Sequence, residues 1–388
     1  MVSSRSGSPK DLPDQQQSVF FYGTLRHRPL LEVVLGGDLM GSVVDAELPD
    51  FVVLSVEAQV FPIISPYAGR AAPGVLVQGL TPADIARLDF YEGGFDFALD
   101  AVEVTTDAGP VAAVMYRTPP GRWSTGPEWD FPAWADKWGE VITEAAKDEM
   151  SFYGVEDPTT VAARTASFDA RAQARINART TAPTTLRHQA EKGDVHIVEK
   201  STPFAGFFSV EDYQLSHARF KGGHIDPVQR IVFVSGDAAS ILPYDPVRDR
   251  VLLIEQFRPG AYARGDAQPW LLETVAGRVD AAETPDEAAR REAREEAGLE
   301  LNDLVPIGRY YPSPGAMTEF LYSYIGLTDL PDDVASLGGL AHEGEDIRSH
   351  IVSFDRLMEL VDSGEIANGI LILSALHLFR LRDSFRSK

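Results

Sequence analysis

The segment GRVDAAETPDEAARREAREEAGLEL, Gly277 to Leu301, holds the densest set of chemically capable side chains in the sequence. Glu292, Glu295 and Glu296 lie three and four positions apart or adjacent. On a helix, like charges at that spacing repel by roughly a few tenths of a kcal/mol per pair, so something positive must sit among them. The arginines of the same stretch, Arg290, Arg291 and Arg294, are one candidate, and they would make this a solvated acidic face. A hard divalent cation is the other, since such ions prefer carboxylate oxygens and bridge phosphate oxygens. Cysteine is absent, which excludes disulfides, thiolate nucleophiles and cysteine-ligated zinc or iron. The chemistry must come from oxygen and nitrogen.

Local signals say how these residues are held. Thr284 offers an N-cap, Pro285 a first-turn proline, Glu287 the return arm of a capping box, and Gly298 a helix stop. The spacing predicts a helix over 284–297. At about 100° per residue the three glutamates share one flank, while Ala289, Ala293 and Ala297 form a small-residue stripe suited to close packing on a sheet.

The chain of 388 residues exceeds a comfortable single domain, so two domains and a connector are expected. Residues 1–17 read as a polar, flexible tail without the apolar core of a secretory signal, which points to the cytoplasm. Residues 18–120 read as a strand-rich domain with strands in VFFYGTLR, FVVLSV, GVLVQGL, AVEVTT and VAAVMYR. Residues 121–186 read as a helical extension and linker. Trp134, Trp138, Val141 and Ile142 share one face of a helix from Phe131 to Phe152, and Asp157 to Thr185 is polar, partly helical and has little to bury. Residues 187–388 read as a mixed domain with strands at VHIVEKSTPF, GFFSVEDYQLSHARF, RIVFVSGDAASILPYD and VLLIEQFRP. No apolar run approaches the roughly 18 residues needed to cross a bilayer. A net charge of -23 argues against non-specific nucleic-acid binding, and requires local arginines or metal ions around any polyanionic substrate.

The acidic segment carries a longer pattern: Gly277, five residues, Glu283, seven residues, Arg291-Glu292-Ala293, one residue, Glu295-Glu296, one residue, Gly298-Leu299. It resembles in full the Nudix box of the Nudix hydrolases, which cleave nucleoside diphosphates linked to another moiety. The resemblance implies an α/β/α sandwich around a mixed sheet. It also implies Glu292 and Glu296 as main metal ligands, with the carbonyl of Ala276 and nearby Glu295 completing the site, Arg291 holding the carboxylates by ion pairs, and Glu283 supporting the loop. Two or three Mg²⁺ ions are implied, with Mn²⁺ as a substitute. IEQFRPGAY, PWLLETVAG, SPGAMTE and GLAHEGEDIR further resemble the ADP-ribose pyrophosphatases, and Pro314, sixteen residues beyond Gly298, matches a proline associated with ADP-ribose hydrolysis. That resemblance implies a substrate site with Arg258 at the diphosphate, Glu273 beside it and Glu319 near the terminal ribose. Phe207 and Arg230 would reach the partner subunit's adenine site in a homodimer formed through this domain. It assigns Glu343 as the base that activates water and Glu345 as a further metal ligand, both on the loop from Gly339 to Arg348.

In the first half, FFYGTLR and LDFYEG resemble the gamma-glutamylcyclotransferase-like (AIG2-like) family, a mixed β-barrel with helices. The resemblance implies that Tyr22, Gly23, Thr24 and Leu25 offer backbone groups to a carboxylate-bearing substrate, and that Glu92 moves the amine proton during cyclisation. The expectation for the whole chain is an α/β two-domain hydrolase of ADP-ribose, giving AMP and ribose 5-phosphate. The alternatives are another nucleoside diphosphate sugar as substrate, or a sensor in which nucleotide binding regulates the first domain.

Overall fold

The computed structural model describes residues 16–180, 182–332 and 346–386, and the backbone of 337–338. The chain forms two compact units, Met1–Ala172 and Gln173–Lys388. Among the described residues no helix is long and apolar enough to cross a membrane.

The first unit contains β1 (Gln17–Phe21), a 3-10 turn (Thr24–Arg26), α1 (Arg28–Leu35), β2 (Ser42–Val56), β3 (Pro62–Leu80) and α2 (Pro82–Gly93). Then follow β4 (Ala98–Thr106), β5 (Gly109–Arg117), β6 (Thr125–Glu128), α3 (Phe131–Met150), α4 (Pro158–Ala162) and α5 (Thr165–Ala178), whose last residues belong to the second unit. The strands run in the order β3-β1-β5-β4-β2, and β2 pairs back onto β3, which closes a five-stranded barrel. β1 and β5 are parallel and the other barrel pairs antiparallel, so the barrel is mixed as expected. Alternate residues turn inward, and Phe20, Ala72, Leu76, Val104 and Met115 are almost wholly buried inside. Helix α3 is capped by Asp130 and buries Trp134, Val141, Ile142, Ala145 and Ala146, with Glu149 on the same face. The stretch 157–185 buries more than its polar composition suggests. Val161 of α4 and Phe168, Ala170 and Ala172 of α5 are all at most 2% exposed, and α5 is enclosed nearly all round over this stretch, with Ser167 and Arg171 buried beside its apolar side chains.

In the second unit β7 (Val195–Ala205), β8 (Ser209–His217) and β9 (Val228–Val234) form a separate antiparallel sheet. The main sheet is built from β10 (Ala238–Asp245), β11 (Arg250–Phe257), β12 (Trp270–Glu273), β13 (Val275–Arg278), β14 (Asp303–Tyr310), β15 (Leu321–Leu327), β16 (Leu337–Gly338) and β17 (Ile347–Ser353). Its central order is β14-β15-β10-β11-β17-β16, with β12 on β11 and β13 on β10. β10 and β15 run parallel within this otherwise antiparallel sheet. The helices are α6 (Pro259–Arg264), α7 (Pro285–Ala297), α8 (Phe354–Ser363) and α9 (Gly369–Arg386). Strand alternation assigns the two faces. Ile241, Leu252 and Ile254 join Ala288, Ala289 and Ala293 of α7, whereas Leu242, Val251 and Leu253 join Leu357 of α8 and Leu371 of α9. Helices therefore cover both faces, giving the α/β/α arrangement.

RIVFVSGDAASILPYD, expected as one strand, is two. β9 ends at Val234 and β10 starts at Ala238 in a different sheet. The break is fixed by polar contacts: Thr318 Oγ1 accepts from the Ser235 N–H at 2.9 Å, and the Asp237 carboxylate accepts from the Asn177 amide at 2.9 Å.

Candidate functional site

Helix α7 carries the acidic cluster. Thr284 and Glu287 make a reciprocal capping box, and Gly298 closes the helix in the left-handed region at φ 63°. Ala288, Ala289 and Ala293 are fully buried, so the backbone lies close to β10 and β13 and turns Glu292, Glu295 and Glu296 toward the strand ends. Arg291 stands among them. Its Nη1 meets Glu292 at 2.7 Å and Glu295 at 3.0 Å, its Nη2 meets Glu283 at 2.9 Å, and it donates to the Arg278 carbonyl at 2.9 Å. Hydrogen bonding to Glu283 is the first cause that holds this guanidinium more firmly protonated than usual. Glu283 also accepts from the Asp280 N–H at 3.1 Å, which ties the loop before α7. Glu296 is only 4% exposed and accepts from the Ala276 N–H at 3.1 Å.

Gly277 faces this cluster. A Cβ added there would fall 1.8 Å from Glu292 Oε1, so the carboxylate occupies space that any other residue would fill. Among the described residues no three acidic or imidazole groups converge on one point. Arg291 draws Glu292 and Glu295 onto its guanidinium instead. The donor set still fits a hard divalent cation: every candidate ligand is oxygen, and the carboxylates sit beside a strand end whose Ala276 main chain is within reach.

Arg258 caps α6 and donates from Nε and Nη2 to Glu273 Oε2 at 2.9 and 2.5 Å. Glu273 is 5% exposed, and its other oxygen accepts from Asn368 at 3.0 Å. Burial raises the Glu319 carboxyl above its ordinary range, and nearby Arg258 opposes that shift, which brings Glu319 into the same electrostatic neighbourhood. Pro314 lies in an exposed turn closed by the Ala316 N–H on the Ser313 carbonyl at 3.1 Å. Phe207 is 60% exposed with Arg278 stacked 4.4 Å from its ring centre, and Arg230 is an exposed residue of β9. Phe207 stands in the turn between β7 and β8 and Arg230 on β9, and neither is on the helix that carries the acidic cluster. Glu343 and Glu345 lie outside the described residues. Glu255, which binds His350 at 2.9 Å and Arg348 at 3.5 Å beside Trp270, is not among the residues that the sequence singles out. Its only signal there is an acidic residue directly after the apolar run Val251–Ile254.

The first unit has a cavity of its own, with about 810 Å³ of atom-free space including its mouth. Tyr22, Gly23, Thr24, Leu25 and Glu92 line it together, alongside Glu149 of α3 and Asp169 of α5, which sequence reasoning passed over. Glu149 could have been noticed as an acid on the apolar face of α3. Burial pushes Glu92 and Glu149 up to about 8 and Asp169 up to about 7. Tyr22, Tyr91 and Tyr116 are raised by the same burial and stay neutral in that range; Asp89 adds to the rise at Tyr116, and Glu92 adds to it at Tyr22 while the Arg117 charge opposes it.

A carboxyl raised above its ordinary 4.5 keeps its proton in the folded unit where the unfolded chain has already released it. The first unit should therefore lose stability, on the order of a few kcal/mol, as pH rises from about 5 to about 8. Thermal melts of the full chain should show that decline, and Glu149→Gln should flatten it. An equal slope in both proteins would remove the assignment.

The domain model described as "NUDIX domain" matches residues 234–369, and the one described as "Gamma-glutamyl cyclotransferase, AIG2-like" matches residues 19–134. The second unit is similar to the ADP-ribose pyrophosphatase of Escherichia coli, at 41% identity over 47% of this chain and 87% of that protein. It is similar to the ADP-ribose pyrophosphatase of Haemophilus influenzae at 35% identity, over 48% of this chain and 87% of that protein. A GDP-mannose pyrophosphatase of Salmonella paratyphi B is 35% identical over 42% of this chain and 85% of that protein. Each of these relatives is covered almost end to end by the second half of this chain, and none accounts for the first. With a box helix, a mixed sheet between helical layers and relatives of this identity, the chain belongs to the NUDIX family of hydrolases, joined to an N-terminal AIG2-like barrel.

Proposed function

We propose that the second unit hydrolyses ADP-ribose to AMP and ribose 5-phosphate in a Mg²⁺-dependent reaction, with the hydrolase lying within residues 187–388. The observation that carries this reading is the similarity to two ADP-ribose pyrophosphatases over 87% of their length. Water adds to one phosphorus and the bridging oxygen leaves with the other. Divalent cations, when bound, would withdraw charge from the diphosphate and acidify water. Glu292, Glu295, Glu296 and the Ala276 carbonyl would hold them, together with Glu345. Glu343 would take the water's proton, a task suited to a carboxylate within one hydrogen bond of the attacking oxygen. Arg258, anchored on Glu273, would orient the diphosphate, with Glu319 toward the terminal ribose and Pro314 shaping the loop.

The homodimer we propose is supported by the β7-β8-β9 sheet, where Phe204, Phe207 and Ile231 are each about 60% exposed. Arg230 and Phe207 would then serve the partner's nucleotide. In the first unit, Glu92 would act as acid and base in a gamma-glutamyl cyclotransferase-type reaction, with Tyr22 to Leu25 offering backbone groups to the substrate. Residues 18–120 would form that domain and 121–186 its helical extension and linker.

The similarity to a GDP-mannose pyrophosphatase favours a second reading, another nucleoside diphosphate sugar as substrate. Product release with Mg²⁺ should be compared for ADP-ribose, ADP-glucose, GDP-mannose and NADH, on protein whose mass is measured in solution. ADP-ribose should give the highest kcat/KM, from a dimer. A higher value for another sugar would replace the substrate, and tight binding without turnover would make the protein a sensor.

A further inference from the structure

Ala282 lies in the box loop between β13 and α7, in the left-handed region at φ 55°. A Cβ crowds the following carbonyl there, so the conformation persists only where its surroundings hold it. The contact that holds it comes from 109 positions earlier, where Gln173 Oε1 on α5 accepts from the Ala282 N–H at 2.8 Å. Gln173 Nε2 donates to Asn177 Oδ1 at 3.0 Å, one helical turn on, and Asn177 Nδ2 donates to Asp237 Oδ2 at 2.9 Å. The chain of bonds returns to the loop, because the Asp237 carbonyl accepts from the Val279 N–H at 2.9 Å. Three side chains thus tie Val279 to Ala282. A backbone N–H at one end can only donate and a carboxylate at the other accepts, so neither amide can be reversed without losing bonds.

Glu283 follows Ala282 directly. Its two oxygens accept from Arg291 Nε at 3.0 Å and Nη2 at 2.9 Å, a forked pairing that fixes the guanidinium plane. The same guanidinium holds Glu292 at 2.7 Å and Glu295 at 3.0 Å. The place of the loop is therefore passed on to the acids of α7. Gln173 and Asn177 belong to the second unit but lie outside residues 234–369, which match the NUDIX model, and nothing in the box pattern points to them.

We propose that Gln173 and Asn177 are positioning residues of the nucleotide site: the end of α5 holds the box loop and, through Glu283 and Arg291, sets where the carboxylates of α7 stand for a divalent cation. The proposal rests on the reading that those carboxylates bind such a cation.

Gln173→Met keeps the length of the side chain and removes both polar atoms. Titration calorimetry of the full chain with Mn²⁺, without nucleotide, should show binding weaker by at least about tenfold, the lower end of what outer partners of metal ligands contribute. The Mg²⁺ requirement for hydrolysis of ADP-ribose should rise by a similar factor, more than kcat at saturating Mg²⁺ falls. Amide exchange over 279–284 should quicken at least about tenfold while that of β15 stays as in the parent. Ala282→Gly, added to Gln173→Met, should restore part of the Mn²⁺ affinity, because glycine adopts the left-handed backbone without steric cost. Asn177→Ala should weaken Mn²⁺ binding in the same direction, and gives the answer should Gln173→Met not fold. Mn²⁺ affinities in these variants within about twofold of the parent's would overturn the proposal and leave the metal reading intact. A parent that takes up no Mn²⁺ would overturn both.

Discussion

Glu296→Gln should leave a folded protein whose turnover of its nucleotide substrate is slower by more than about a hundredfold. Even groups one step removed from a metal alter activity by about 10–100-fold, so loss of a direct ligand charge should exceed that range. The amide keeps the shape of the carboxylate, and its oxygen can still accept the Ala276 N–H now bonded at 3.1 Å. Stability should therefore move by no more than about 1 kcal/mol. Steady-state kinetics at saturating Mg²⁺, read beside a thermal melt, separates the two effects. A kcat within a few-fold of the parent's would take Glu296 out of the metal centre.

Gly277→Ala should be nearly as damaging to turnover, for a steric reason. The added methyl would sit 1.8 Å from Glu292 Oε1 and 2.0 Å from its Cδ, well inside contact distance. The strand cannot easily yield, because Gly277 is paired with Ala239 in the middle of the β13–β10 ladder. Glu292 must swing away and give up its 2.7 Å pairing with Arg291. The expected result is a loss of more than about a hundredfold in kcat, with a stability cost of no more than about 1 kcal/mol, because what must move is the end of a flexible side chain. Gly369→Ala, where nothing lies within 4 Å of the new methyl, should change neither quantity. Parental kcat in Gly277→Ala would show that Glu292 can leave its place without consequence for the reaction.

Stretches whose geometry is set by near neighbours are legible in the order of the residues alone. The capping box of Thr284 and Glu287, the stop at Gly298 and the buried alanine stripe of α7 all depend on residues within one or two helical turns. The same holds for α3, whose apolar spacing locates both its length and its buried face. Where local pattern misleads, the deciding contacts are distant along the chain. The break between β9 and β10 depends on Thr318, 83 positions away, and nothing in RIVFVSGDAASILPYD announces it. The burial of Phe168 follows from the surface that α5 packs on, not from the composition of its own stretch.

The order of the residues was enough for the family and the box helix, because a helix repeats its geometry every few residues and a spaced motif therefore sets which side chains share a flank. Only the tertiary structure decided that Arg291 gathers Glu283, Glu292 and Glu295, that Gly277 makes room for Glu292, and that Glu92, Glu149 and Asp169 share one cavity. Those last three acids come from three helices separated by long stretches of chain, and no local periodicity relates positions that meet only when a core closes around them.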